Sequence, residues 1–211
     1  MNAGFNKQLI VLVEGADDVE TMKALLGRHR SFGIRDMGSN FDVFPHPNSA
    51  SGCVDAHEFL RPFQQIYLYA IVLMDYAGSN YENRLTCENL KKRIEQNLTS
   101  SGWQDRSAAI IVNPELENWV WSNSHHVEEV LGWKDREPAL QTWLIEQKWL
   151  ESGKTKPAMP KEAMEAALRA ARLPRSASLY RELAQKVSIA RCEDPALIKL
   201  KQTLQTWFPI E

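Results

Sequence analysis

Three short, nearly unbroken apolar runs constrain this chain more than any other feature of its sequence. They are Gln8 to Glu14 (QLIVLVE), Leu68 to Met74 (LYAIVLM) and Ala108 to Val112 (AAIIV). A strand wetted on one face alternates apolar and polar residues, whereas a strand covered on both faces does not. None of the runs approaches the roughly 20 residues needed to cross a bilayer. They read as interior strands of a parallel sheet. Helical spacing fills the gaps between them: Val19, Met22, Leu25 and Leu26 follow the first run, and Glu82 to Leu98 is a polar amphipathic stretch. Phe41 to Phe44 is a further short strand, ended by Pro45 and Pro47, and Asp55 to Phe63 a short helix. Glu115 to Trp121 begins a helix just behind Pro114, where proline is tolerated.

The resulting order, β-α-β-α-β-α-β-α, predicts an α/β fold: a mostly parallel four-stranded sheet flanked by helices. From about Pro138 the pattern is helical, over 138–150, 160–173, 176–190 and 194–207. The expected organisation is an α/β domain over residues 1–135 and a helical C-terminal region over 136–211, packed on or beside it.

In sheets of this kind ligands bind beyond the carboxyl ends of the strands. The three runs end there in acid: Glu14 with Asp17 and Asp18 behind it, Asp75, and Glu115 with Glu117. Crowded carboxylates raise one another's pKa, so a site that gathers several needs a cation. Hard oxygen ligands suit Mg²⁺ or Mn²⁺. Such ions activate water and stabilise the oxygens of an in-line phosphoryl displacement. Structural readings stand beside these. Asp17 fits an N-cap of the first helix. Asp75 fits an Asx turn, and Glu115 a first-turn residue that meets the helix dipole. Gly15 and Gly78 are placed where backbone must turn or approach a ligand. Trp119 and Trp121 read as core.

Hydrophobic residues at 44% and charged residues at 25% exclude a disordered chain. Cys53, Cys87 and Cys192 are odd in number and form no CxxC pair, so neither a zinc site nor a disulfide framework is expected. Without a signal peptide pattern at Met1 to Lys7, a reducing cytoplasm is the expected location. Residues 1–150 hold 14 Lys+Arg against 20 Asp+Glu, a balance of −6, and the remaining 61 hold 11 against 7, a balance of +4. That split suits metal in the first part and nucleic-acid phosphate near the second; a solvated helical surface explains it equally well. Lys154, Lys156 and Arg175 lie in loops or at helix starts, where phosphate contact is most accessible. Lys161, Arg169, Arg172, Arg181, Lys186 and Arg191 are mostly surface charges. His125-His126 has no acid at a metal-site spacing, Ser79 and Ser176 have no local base, and no Walker-type glycine loop exists.

The residues that carry this chemistry resemble a known family. VEGADDVETMKALL (Val13 to Leu26) is similar to the opening motif of Toprim domains: a hydrophobic strand, Glu-Gly, a further acid, then a helix. Toprim domains occur in topoisomerases, bacterial primases, small ribonucleases and the nuclease part of the overcoming-lysogenization-defect (OLD) family. Asp75 matches the first aspartate of the family's Asp-x-Asp motif. NPELENWVW (Asn113 to Trp121) resembles the Pro-x-x-Glu-x-Trp segment of Toprim-like proteins of bacterial anti-phage defence. The resemblance covers about residues 8–121. It implies Glu14 as general base or metal ligand, Asp18, Asp75 and Glu117 (with Glu115) as further metal ligands, and Lys156 or Lys161 as the lysine that stabilises the scissile phosphate. It implies an Mg²⁺- or Mn²⁺-dependent nuclease acting on DNA or RNA, with an ATPase or other defence-system partner, or a homodimer. Position 77, where the second aspartate falls, is Ala77. That departure leaves open a single-metal site, a replacement ligand from Glu115 or Glu117, or a Toprim-like subunit that binds without cutting.

Overall fold

The structure, a computed structural model, describes residues 4–121, 125–190 and 192–210. Arg191 lies outside the described residues. In chain order the elements are β1 (Lys7–Val13), α1 (Ala16–Leu26), α2 (His29–Phe32), β2 (Phe41–Pro45), α3 (Ser49–Val54) and α4 (Ala56–Leu60). Then come β3 (Tyr67–Asp75), α5 (Cys87–Leu98), β4 (Ser107–Val112), α6 (Glu117–Val120), α7 (His125–Val130) and α8 (Leu140–Glu146). The C-terminal helices are α9 (Pro160–Ala171), α10 (Ala177–Lys186) and α11 (Pro195–Trp207).

The four strands form one sheet in the order β2-β1-β3-β4, with every pairing parallel. The apolar runs predict this: within β1, Leu9 to Val13 are all buried, because alternate side chains enter two different cores. Leu9, Val11, Val13, Ile71, Leu73, Ile110 and Val112 face α1 and α11. Ile10, Leu12, Val72, Met74, Ala109 and Ile111 face α3, α4 and α5. Fully burying each aliphatic side chain of this size contributes about 1.5–3 kcal/mol.

The crossovers follow from handedness. From β1 the chain moves one way to β2 over the α1 face, then returns past β1 to β3 and on to β4 over the opposite face. Right-handed βαβ connections require that change of face when the direction reverses. The reversal makes the gap between β1 and β3 the topological switch point, the place where such sheets open a crevice.

Several boundaries differ from the sequence expectation for local reasons. Residues 82–86 are turn and loop, and the helix begins behind Thr86, whose hydroxyl accepts from the Asn89 N–H. Helix α3 was not foreseen, and the expected helix over 55–63 is α4 followed by a 3₁₀ turn. Helix α6 is only four residues long, since Trp121 returns to extended backbone. The N-cap of α1 is Gly15 rather than Asp17. Gly15 is extended there and needs no special freedom, whereas Gly78, in the loop after β3, has φ 76°.

Helices α7 to α10 enclose a third core of Trp121, Leu131, Leu144, Met164, Tyr180 and Leu183. Helix α11 leaves that group: Leu197, Leu200, Leu204 and Phe208 pack on the sheet. Helix α10 lies along α1 and so brings the helical region to the carboxyl edge of the sheet. Among the described residues no helix is long and apolar enough to cross a membrane.

Candidate active site

Glu14 is the first residue past β1 and Asp75 the last of β3, so the switch point places them side by side. Glu14 Oε1 accepts the Asp75 backbone N–H at 2.8 Å. Asp75 Oδ1 in turn accepts the Leu116 N–H at 2.8 Å, which pins the loop behind β4. Asp18 sits one helical turn into α1 and accepts the Gly15 N–H at 2.8 Å, the reciprocal half of a capping box. Each of the three carboxylates thus has one oxygen held by backbone, and all three residues line a cleft of about 260 Å³. Lys161, Arg175 and Tyr180, from the helical region, form its other wall.

The electrostatics are those of an acid cluster short of cations. Burial, reinforced by Asp18 and Glu117, raises the Glu14 pKa from 4.5 to about 7, against the opposing Asp75 hydrogen bond. Burial, with Glu117 and Asp17 adding to it, raises Asp18 to about 6. Asp75, 7% exposed, is pushed well above the usual carboxylate range by burial and then by Asp18 and Glu14. Burial also raises Glu115, helped by Glu117. Burial opposes the charge on Lys161, but Glu117, Glu115 and Asp75 outweigh it and hold the ammonium firmly protonated.

The structure brings Glu14, Asp18, Asp75, Glu117, Lys161 and Arg175 to the cleft. It sets others apart. Glu115 is 9% exposed and accepts the Lys161 backbone N–H at 3.3 Å from outside the cleft lining. Lys156 donates to the Asn118 carbonyl at 2.5 Å, so its ammonium supports the loop after β4. Lys154 is exposed in a turn away from the cleft. Arg175 is engaged by acids: it donates to Asp17 Oδ2 at 2.6 and 3.0 Å and to Glu165 Oε1 at 2.6 Å. Ala77 donates its N–H to the Pro114 carbonyl at 3.0 Å and presents only a methyl group. Among the described residues no three His, Cys, Asp or Glu side chains stand close enough, as placed, to share one ion.

Two contributors had no readable signal. Tyr180 reads as a core residue of α10, and it is buried, yet its hydroxyl donates to Glu117 Oε1 at 2.6 Å. Burial and the Glu117 carboxylate push the phenol pKa up, so it remains a donor. Asp194 caps α11 and also accepts from Trp119 Nε1 at 2.9 Å and Asn118 Nδ2 at 2.6 Å, which fixes α6 below the cleft. The Asp-Pro pair at 194–195 signals a helix start, but nothing in it names Trp119. Both tryptophans are buried, as expected, with indole N–H groups bonded to Asp194 and to the Pro160 carbonyl.

An all-parallel sheet of order β2-β1-β3-β4, acidic at its switch point and walled by C-terminal helices, defines an α/β protein of the layered class that the apolar runs predict. No family model matches the chain, and no curated protein matches it in sequence. Solved structures do match. The C-terminal region of the Burkholderia pseudomallei OLD protein superposes with a TM-score of 0.56 at 13% identity, over 96% of this chain and 98% of that one. The C-terminal region of the Xanthomonas campestris pv. campestris OLD protein gives 0.55 at 14% identity, over 96% of each. The fold is therefore that of the OLD C-terminal region, as the OLD-type resemblance implied for about residues 8–121, and the likeness extends through the helical part.

Proposed function

We propose that this chain is a metal-dependent nuclease that hydrolyses phosphodiester bonds of DNA or RNA. The observation that carries the reading is the convergence of Glu14, Asp18 and Asp75 at the switch point, where all three line one cleft together with Lys161. Such a cluster is unfavourable by itself, since burial raises all three pKa values. Functional sites are where a fold retains groups of that kind. The donor set fits a hard divalent cation, Mg²⁺ or Mn²⁺. As placed, the carboxylates are too dispersed for three to share an ion, so binding has to draw them inward.

Glu14, Asp18 and Asp75 would hold the cation, and Glu117 borders it. The bound ion would supply charge stabilisation to a phosphate and a lowered pKa to water. Lys161 places a fixed positive charge against the scissile phosphate, the role that electrostatic preorganisation makes effective in a partly dry site. Glu14, with a pKa of about 7 before a cation binds, is the residue that exchanges a proton near neutrality. Lys154 is exposed and suits non-specific phosphate contact. The wider setting in this reading is the cytoplasmic effector of an anti-phage system, acting as a homodimer or with an ATPase or other protein partner.

The test is cleavage of supercoiled plasmid, single-stranded DNA and total tRNA by purified protein, with Mg²⁺, Mn²⁺ or EDTA, beside Glu14→Ala and Asp75→Ala. Metal-dependent cutting lost in both variants establishes the reading and names the substrate. Ala77 favours a second reading, a Toprim-like subunit of a larger assembly that binds nucleic acid without cutting it. Retained binding in a gel-shift assay with no cleavage under any condition selects that one.

A further inference from the structure

We infer that Arg175 is an internal counter-cation that limits the acidic cleft to one divalent ion; the inference rests on the metal-dependent reading above. The acids around the cleft fall into two sets. Glu14, Asp18 and Asp75 form the inner set, each with a backbone hydrogen bond and, among the described residues, no ion pair. Asp17, Glu117 and Glu165 form the outer set, and a cation already occupies it. The Arg175 guanidinium donates through Nε and Nη2 to Asp17 Oδ2 and through Nη1 to Glu165 Oε1, and Nη2 stands 3.8 Å from Glu117 Oε1. The same plane lies over the Tyr180 ring at 5.3 Å, while the Tyr180 hydroxyl holds Glu117 Oε1 at 2.6 Å.

A guanidinium is the right group for this. It does not lose its proton, and its planar fork of donors can hold several carboxylates in one arrangement. Asp17 and Glu117 are thereby withdrawn from ligation while still bordering the cleft. Ala77, two residues beyond Asp75, donates its N–H to the Pro114 carbonyl and adds no side-chain ligand. The inner oxygens serve one octahedral ion whose remaining positions go to water and phosphate. A second ion would have to displace a cation that is covalently part of the chain. Arg175 is on this account a positioning residue: it acts through Asp17 and Glu117, and by sitting between α9 and α1 it also fixes the helical wall against the sheet.

The experiment counts ions. Full-length protein is titrated with Mn²⁺, bound metal being read from loss of the free-ion electron paramagnetic resonance signal and from calorimetry, with circular dichroism to verify folding. One Mn²⁺ per chain is expected for wild type, one for Arg175→Lys, which keeps a cation in place, and two for Arg175→Met, the second weaker. Two ions on the wild-type chain overturn the inference and leave the nuclease reading standing. A folded Arg175→Met that still takes one ion also overturns it. No Mn²⁺ bound to wild type at millimolar concentration removes the metal-dependent reading itself, and the inference with it. If Arg175→Met does not fold, the wild-type count decides: one supports the inference and two overturn it.

Discussion

The two ends of the sheet each hold a carboxylate arrangement, half-buried at one and buried at the other, and they are opposites. At the amino edge, where β1, β2 and β3 begin, Asp42 accepts Lys7 Nζ at 2.5 Å and the Tyr67 hydroxyl at 2.5 Å. Burial works against its charge, but those two hydrogen bonds and the lysine's charge outweigh burial and hold its pKa below the usual value. At the carboxyl edge, Glu14, Asp18 and Asp75 have backbone donors but too few cations, and all three pKa values rise. The same strands and the same residue chemistry give a satisfied ion pair at one edge and an unsatisfied cluster at the other. An acid whose partner is built in contributes to stability; an acid whose partner is missing marks a candidate functional site.

The largest expected effect separates the edges by activity. On the proposed nuclease reading, Asp75→Ala or Glu14→Ala lowers cleavage by about 10³-fold or more, while Asp42→Ala leaves turnover of the folded protein unchanged. Equal losses from all three, measured as kcat/KM on the same substrate, would break the distinction. Lys161→Ala should fall between, at about 10²-fold, as for the loss of one preorganised charge or donor.

Next in size is the response to cation. Mg²⁺ at 100 times its dissociation constant should stabilise the wild-type fold by about 2.7 kcal/mol and raise its Tm, with little effect on Asp75→Asn. A thermal shift that survives in Asp75→Asn would move the ion elsewhere on the molecule.

The pH dependence carries opposite signs at the two edges. Glu14 has a folded pKa of about 7 against 4.5, and Asp18 about 6 against 3.8, so the native state binds more protons between those limits. Their contribution is fully present below the lower values and is lost as pH rises through 6 and 7, roughly 1–3 kcal/mol for each group. Asp42, with its pKa lowered, contributes stability above its unfolded value that is lost as pH falls. Glu14→Gln should therefore be more stable than wild type at pH 8 without metal and indistinguishable at pH 4, whereas Asp42→Asn should be less stable by about 1 kcal/mol at pH 8. Denaturant melts at the two pH values check both. The smallest effect is at the helical wall: Tyr180→Phe removes the Glu117 hydrogen bond and should cost about 1 kcal/mol of stability, with the same chemistry retained.

Much of this was legible in the sequence. The three apolar runs gave the parallel sheet, because burial on two faces leaves no room for alternation. Glu14 and Asp75 stood out because a charge at the end of such a run must either find a partner or serve a purpose. The short strand at 41–44 was legible through Phe41 and its closing prolines, and the structure carries it one residue further, to Pro45. What failed locally were helix ends decided by single hydrogen bonds, such as Thr86 to Asn89 and Asp18 to Gly15.

The sequence by itself determined the layers, the strands and the residues at their carboxyl ends, since these depend on period and burial along a few adjacent positions. Only the tertiary structure decided which acids meet which cations. Arg175 reaches Asp17 across 158 positions, Tyr180 reaches Glu117 across 63, and Asp194 reaches Trp119 across 75. Local pattern carries no trace of such pairs, because they form only after the helices have packed against the sheet. Whether a carboxylate is satisfied or left short of charge depends on that packing alone.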